Sequence, residues 1–60
     1  MTLSEAREKN MHHLQVLLKL KKANPNITVN RLQDDIENAV IIMAQEDVAW
    51  VEKIVGIKAL

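Results

Sequence analysis

The stretch from Thr28 to Ile57, TVNRLQDDIENAVIIMAQEDVAWVEKIVGI, decides the fold. Apolar side chains recur in it at every seventh position, and these are Val29, Ile36, Met43, Trp50 and Ile57. A sustained seven-residue spacing is typical of helices that pack side by side in a left-handed supercoil. Neither glycine nor proline interrupts the chain between residues 28 and 55. The pattern therefore predicts one long helix over about 28–55.

A second apolar stripe follows the C-terminal half of the same helix, about 100° around from the first. Its members are Ile41, Ala44, Val48, Val51 and Val55. Leaving it in water would forgo roughly 1.5–3 kcal/mol for each large side chain. That loss is comparable with the whole stability of a small domain, roughly 5–15 kcal/mol. Two stripes indicate two neighbours, so we expect a second chain, the folded-back tail or an unrelated partner to cover this one.

The residues before this stretch predict a second, shorter helix and a turn. Thr2 and Glu5 have the spacing of a capping box, with Ser4 as a rival cap, so helix 1 covers about 2–23. Pro25 marks a loop over 24–27. Thr28 then caps helix 2, and Gly56 ends it before a short tail, 56–60. We predict an all-α fold with a single helical domain over 1–60, built as an antiparallel helical hairpin.

The main alternative is a break near 45–47, with Asp47 capping a third helix. Asp47 lies near the centre of the first stripe, between Met43 and Trp50. A charge in such a place is costly unless it is paired. Two interpretations remain open. In the first, Asp47 lies in water, because the helix breaks there or because helix 1 has already ended. In the second, Asp47 contacts a cationic group of a partner.

The chain is short for a fold that stands alone. Sixty residues allow one domain at most and bury only roughly 60% of the unfolded surface. Small scaffolds add disulfides, a metal or an oligomer, but the chain has no cysteine and only two histidines. We therefore expect no cofactor and predict a homodimer, arranged as a four-helix bundle of two hairpins. The candidate interface residues are Ile36, Ile41, Met43, Val48, Val51, Val55 and Asn10.

Asn10 lies in the middle of the apolar face of helix 1, which leaves two interpretations open. It is either an edge residue that water reaches or a buried side chain that pairs with its symmetry mate and fixes the register.

Catalytic and metal-binding patterns are missing from the sequence. Glu5, Glu8 and His12 share one face of helix 1, but Lys9 stands where a helical diiron site needs glutamate. No nucleophile lies beside a base, and no glycine-rich phosphate loop is present. We expect neither an enzyme nor a metal site.

The hydrophobic pattern also bears on location. The sequence has no apolar run of 18 residues and lacks the pattern of a secretory signal, and the absence of cysteine fits a reducing interior. We expect a cytoplasmic protein that does not span a membrane.

Charge divides between the two halves of the chain. Residues 1–23 carry +3 and residues 24–60 carry −3, so opposite helices attract each other within or between chains. We expect a small regulator, of bacterial or phage type by its size, that binds a larger protein stoichiometrically and modulates it. The target could be a DNA-binding or other regulatory factor. Candidate contacts are Asp34, Asp35, Glu37, Asp47 and Trp50.

The alternative function is a small dimeric nucleic-acid-binding protein. It would use the basic residues around the inter-helix loop, Lys19, Lys21, Lys22 and Arg31. The zero net charge disfavours this alternative, because a nucleic-acid-binding domain usually has a clear basic excess.

Overall fold

The chain is all-helical in the computed structural model, which describes residues 2–24 and 30–60. Within those ranges it forms three helices and no strand: α1 (Leu3–Ala23), α2 (Asn30–Ile41) and α3 (Gln45–Val55). The loop beyond Asn24 and the start of helix 2 at Thr28 lie outside the described residues, as does Val29 of the first stripe.

Helix α1 begins with a side-chain cap and ends just before the proline. The Thr2 hydroxyl accepts a hydrogen bond from the Glu5 backbone N–H at 3.2 Å, so Thr2 rather than Ser4 is the cap. At the other end, the backbone N–H and the side-chain amide of Asn24 both donate to the Leu20 carbonyl at 3.1 Å. These bonds satisfy backbone groups that the helix ends would otherwise leave unpaired.

The structure corrects the prediction of one continuous helix over 28–55. Helix α2 ends at Ile41 and α3 begins at Gln45, so the break lies just before the alternative position at 45–47. Ala44 is the cap residue of α3, with an extended backbone (φ −67°, ψ 143°) and no side-chain hydrogen bond. Its carbonyl accepts from the N–H groups of Asp47 and Val48. Asp47 therefore lies in the first turn of α3 and does not cap it.

Two contacts establish the direction of the helices. Arg7 near the start of α1 bonds to Asp47 near the start of α3, and Lys22 at the end of α1 bonds to Val55 at the end of α3. Helices α1 and α3 therefore run parallel, and the intervening α2 runs antiparallel to both. Helix α1 packs against each of the other two.

The break explains how a single chain buries Ile36 of the first stripe together with the valines of the second. It turns α3 back along α1, so that Val48, Val51 and Val55 join Leu14 and Leu18 in one core. The remaining buried apolar residues are Leu17, Ile36, Ala39 and Ala59. Ile36, Val48, Val51 and Val55 are thus not interface residues, since the chain's own core already holds them. Ile41 and Ala44 are the exceptions in the second stripe: both are exposed, with 77% of the Ile41 surface in water.

Candidate functional site

An ion pair between a buried carboxylate and an exposed guanidinium joins the first turn of α3 to α1. Arg7 donates from Nε to Oδ2 of Asp47 at 2.8 Å and from Nη2 to Oδ1 at 2.6 Å. Asp47 is 6% exposed, whereas the Arg7 side chain is 63% exposed. Two parallel charge-assisted bonds satisfy the buried carboxylate, and the positive end of the α3 dipole favours it further.

The pair shifts the pKa values of both groups toward their charged forms. The hydrogen bond from Arg7, supported by its positive charge, lowers the pKa of Asp47, although burial opposes this shift. The hydrogen bond and charge of Asp47 raise the pKa of Arg7. The predicted placements of Asp47, in water or against a partner's cation, are both corrected: its cation is Arg7 of the same chain.

Arg7 also lines two hollows on the surface. The first, of about 200 Å³, lies between α1 and the α2–α3 junction. Its other lining residues are Leu3, Ala6, Asn10, Ile42, Met43, Ala44 and Asp47. The second, of about 320 Å³, lies along α1 beside Ser4, Glu8 and Met11. Asn10 and Met43 are thus half-buried against groups of their own chain, which leaves a symmetry-related partner for Asn10 as a prediction only.

Trp50 and Ile54 lie on the same side of α3 as Asp47, because the three residues follow the helical spacing i, i+3 and i+7. Trp50 is 52% exposed and Ile54 is 49% exposed. Together with the exposed guanidinium of Arg7, they form what we call the α3 surface. The seven-residue stripe therefore changes role along the chain: Ile36 is in the core, and Trp50 is half in water.

The acidic candidates Asp34, Asp35 and Glu37 are all exposed on α2. In residues 2–24 and 30–60, Arg7–Asp47 is the one salt bridge, so none of these three carboxylates is paired with a cation there. The three carboxylates lie on α2 and Trp50 lies on α3, and both helices pack mainly against α1 rather than against each other.

The basic candidates divide into two groups. Lys22 donates to the Val55 carbonyl at 2.7 Å, and Lys21 donates to the Ala59 carbonyl at 3.2 Å. Both ammonium groups therefore neutralise the C-terminal end of α3 and its tail, where the helix dipole is negative. Lys19 and Arg31 remain exposed.

The C-terminal end of α3 is further ordered by its own residues. Gly56 has a left-handed backbone (φ 87°), and its N–H donates to the Glu52 carbonyl. The Glu52 carboxylate accepts from the Ala59 N–H at 2.7 Å and holds the tail against the core.

The described residues contain no group of three or more histidine, aspartate or glutamate side chains placed to hold a metal ion. His12 and His13 are exposed on α1. None of the described helices combines the length and apolar content needed to cross a bilayer.

Arg7 is the residue that sequence reasoning missed. Its partner lies forty positions away, and only the turn at 42–44 brings the two together. The signal available in the sequence was Asp47 itself, a charge on an apolar face that required a partner.

Comparison with known proteins assigns no family to this chain. No protein-family model matches it, and no curated protein or solved structure does.

Proposed function

We propose that the chain is a non-enzymatic interaction module that binds a larger protein stoichiometrically and modulates the activity or assembly of that protein. The observation that supports this most is the α3 surface. There the only aromatic side chain, Trp50, remains half exposed beside Ile54 while smaller valines of the same helix fill the core. Tryptophan and arginine are the residue types most enriched at binding hot spots.

The Arg7–Asp47 pair supports the same proposal through its rigidity. The two bonds to Asp47 hold the guanidinium in one orientation before any partner arrives. A side chain that is already ordered loses less conformational entropy when it binds. Arg7 therefore keeps its remaining N–H donors in one orientation while it is bonded to Asp47, which precedes Trp50 by about one turn of α3.

A capture experiment tests this proposal. Wild-type chain and the variants Trp50→Ala and Ile54→Ala are immobilised and exposed to extract from the native host, and retained proteins are then purified and titrated. We expect one protein to be retained in a fixed stoichiometric ratio and to lose affinity by about tenfold or more with Trp50→Ala. Because Trp50 is the only tryptophan, its fluorescence should shift to shorter wavelength as the partner buries it.

Gln45→Ala, on the opposite side of α3, serves as the matched control and should bind as wild type does. Retention of the same proteins in equal amount by wild type and by both α3-surface variants would contradict the proposal.

In a chain that is not self-associated, the exposed Asp34, Asp35 and Glu37 favour a basic partner, such as a DNA-binding protein. A nucleic-acid partner has less support, because Lys21 and Lys22 already bond to carbonyl groups of their own chain. Steep loss of nucleic-acid retention with salt would favour that alternative, since phosphate contacts release counterions.

Self-association is part of the proposal, and the exposed area supports it. The chain exposes 4601 Å², whereas a folded monomer of 6.8 kDa is expected to expose about 4,000 Å². The homodimeric four-helix arrangement remains our proposal. Its interface must lie on the outer faces of the helices, because the valines of α3 are buried.

A further inference from the structure

Helices α1 and α2 carry opposite charges on their exposed sides, and the chain does not pair them internally. After Glu8, α1 has no acidic residue, and Lys9 and Lys19 are exposed on it. Helix α2 exposes three carboxylates and one arginine. In the part of the chain that the structure describes, Arg7–Asp47 is the one ion pair, and neither residue belongs to these two sets.

Each of the two helices also exposes aliphatic side chains next to these charges. On α1, Val16 (43% exposed) and Leu20 (48% exposed) are four positions apart and form one ridge. Val16 follows Lys9 by seven positions and precedes Lys19 by three, so all three share one side of the helix. We call Lys9, Val16, Lys19 and Leu20 the basic face.

On α2, Ile41 is 77% exposed and follows Asp34 by seven positions and Glu37 by four. These three residues therefore share the outer side of α2, with Asp35 at its edge. We call Asp34, Asp35, Glu37 and Ile41 the acidic face. Each face combines apolar side chains with charges of one sign, which is the composition of an interface with an apolar centre and a polar rim.

We infer that a second copy of this chain docks here, with the basic face of each copy against the acidic face of the other. This inference rests on the proposed self-association and names its surface. Each copy carries both faces, so a two-fold arrangement that joins the basic face of one copy to the acidic face of the other forms the same contact twice, as in a self-complementary interface. The four helices α1, α2 and their two symmetry mates then form one layered bundle.

Charge and size both favour a second copy as the occupant. One chain carries both complementary faces, and its net charge is zero, so no overall repulsion opposes association. The molecule measures 37 Å and 21 Å along its two longer axes. A side of that size is comparable with the roughly 800 Å² that each partner contributes to a standard interface.

Reciprocal charge reversal tests the inference. Sedimentation equilibrium on the purified chain at low ionic strength should give twice the mass of 6.8 kDa. The double variants Lys9→Glu/Lys19→Glu and Asp34→Lys/Asp35→Lys should each raise the dimer dissociation constant by about tenfold or more, because like charges then meet in both contacts. An equimolar mixture of the two variants should recover the wild-type mass, since each mixed contact again joins opposite charges.

The control is Lys53→Glu, an exposed reversal on α3 outside both faces, which should leave the dissociation constant unchanged. Circular dichroism of every variant checks that helix content is retained. A wild-type chain that stays monomeric at hundreds of micromolar, or a mixture that fails to restore the mass, would overturn the inference.

This outcome is separable from the proposed partner binding. The measurement needs no partner, and Trp50→Ala should dimerise as wild type does because the α3 surface lies outside both faces. A monomeric chain that still binds a protein through Trp50 would remove the self-association and leave the interaction module standing.

Discussion

At the scale of single residues, the Arg7–Asp47 pair shows how a costly charge becomes part of the fold. Burial alone would penalise the Asp47 carboxylate, and two charge-assisted bonds from Arg7 compensate for that penalty. The sequence indicated that Asp47 needed a cation. It did not indicate which one, because the answer depends on the path of the backbone between α2 and α3.

The pair should make stability depend on pH in a defined direction. The folded state lowers the pKa of Asp47, so the stabilisation is fully present above the ordinary aspartate pKa of about 3.9. It is lost as pH falls through the lowered folded-state value. Asp47→Asn should therefore be less stable than wild type at pH 7, and the difference should shrink as pH falls below about 4.

Urea unfolding at a series of pH values measures this difference. Glu8→Gln, which removes an exposed carboxylate from α1 outside both the Arg7–Asp47 pair and the proposed dimer faces, is the control and should stay close to wild type throughout. A wild-type advantage over Asp47→Asn that is constant from pH 7 to pH 2 would show that the ion pair is not the cause.

At the scale of helices, the ends marked by side chains were predicted, whereas an internal break was predicted only as an alternative, near 45–47, and lies at 42–44. Thr2 begins α1, and Gly56 ends α3, because each residue has a local chemistry that stops a helix. Residues 42–44 are Ile-Met-Ala, which include neither glycine nor proline. Intrinsic propensity would continue the helix there, and burial of Val48, Val51 and Val55 against α1 outweighs it.

The missing cap at the start of α3 offers a test of the break. Ala44 is exposed, and its extended backbone is that of an N-cap residue. Ala44→Ser should therefore stabilise the chain by about 0.5–2 kcal/mol, by accepting a hydrogen bond from the first turn of α3. In a continuous helix the same change would destabilise, because serine is a poorer helix former than alanine.

Chemical denaturation shows directly whether Ala44→Ser raises or lowers the free energy of unfolding. Ala49→Ser, at an exposed position inside α3, is the matched control and should lower stability by about 0.5 kcal/mol. Destabilisation by both substitutions would contradict the break at 42–44.

At the scale of the whole molecule, the sequence showed that helix 2 has two apolar stripes to bury. It did not show which part of the structure buries them. Helix 2 has two stripes, and a straight helix would need two neighbours. The fold meets part of that need within one chain by turning α3 back along α1, and it leaves Ile41 and Trp50 exposed. The candidate site was accordingly predictable only in part: Trp50 and the α2 carboxylates are exposed, whereas four of the seven expected interface residues are in the core.

The α3 surface and the burial of the α3 valines both depend on α3 folding back along α1, and an intramolecular distance tests this path most directly. The chain has no cysteine, so Ala23→Cys/Lys53→Cys allows two spin labels to be attached at exposed positions. Labelled chain is diluted in unlabelled chain, and the label separation is measured by pulsed electron resonance. Parallel packing of α3 on α1 predicts a separation below about 20 Å. A separation of about 35 Å, the length from residue 30 to residue 53 in an unbroken helix, would contradict it.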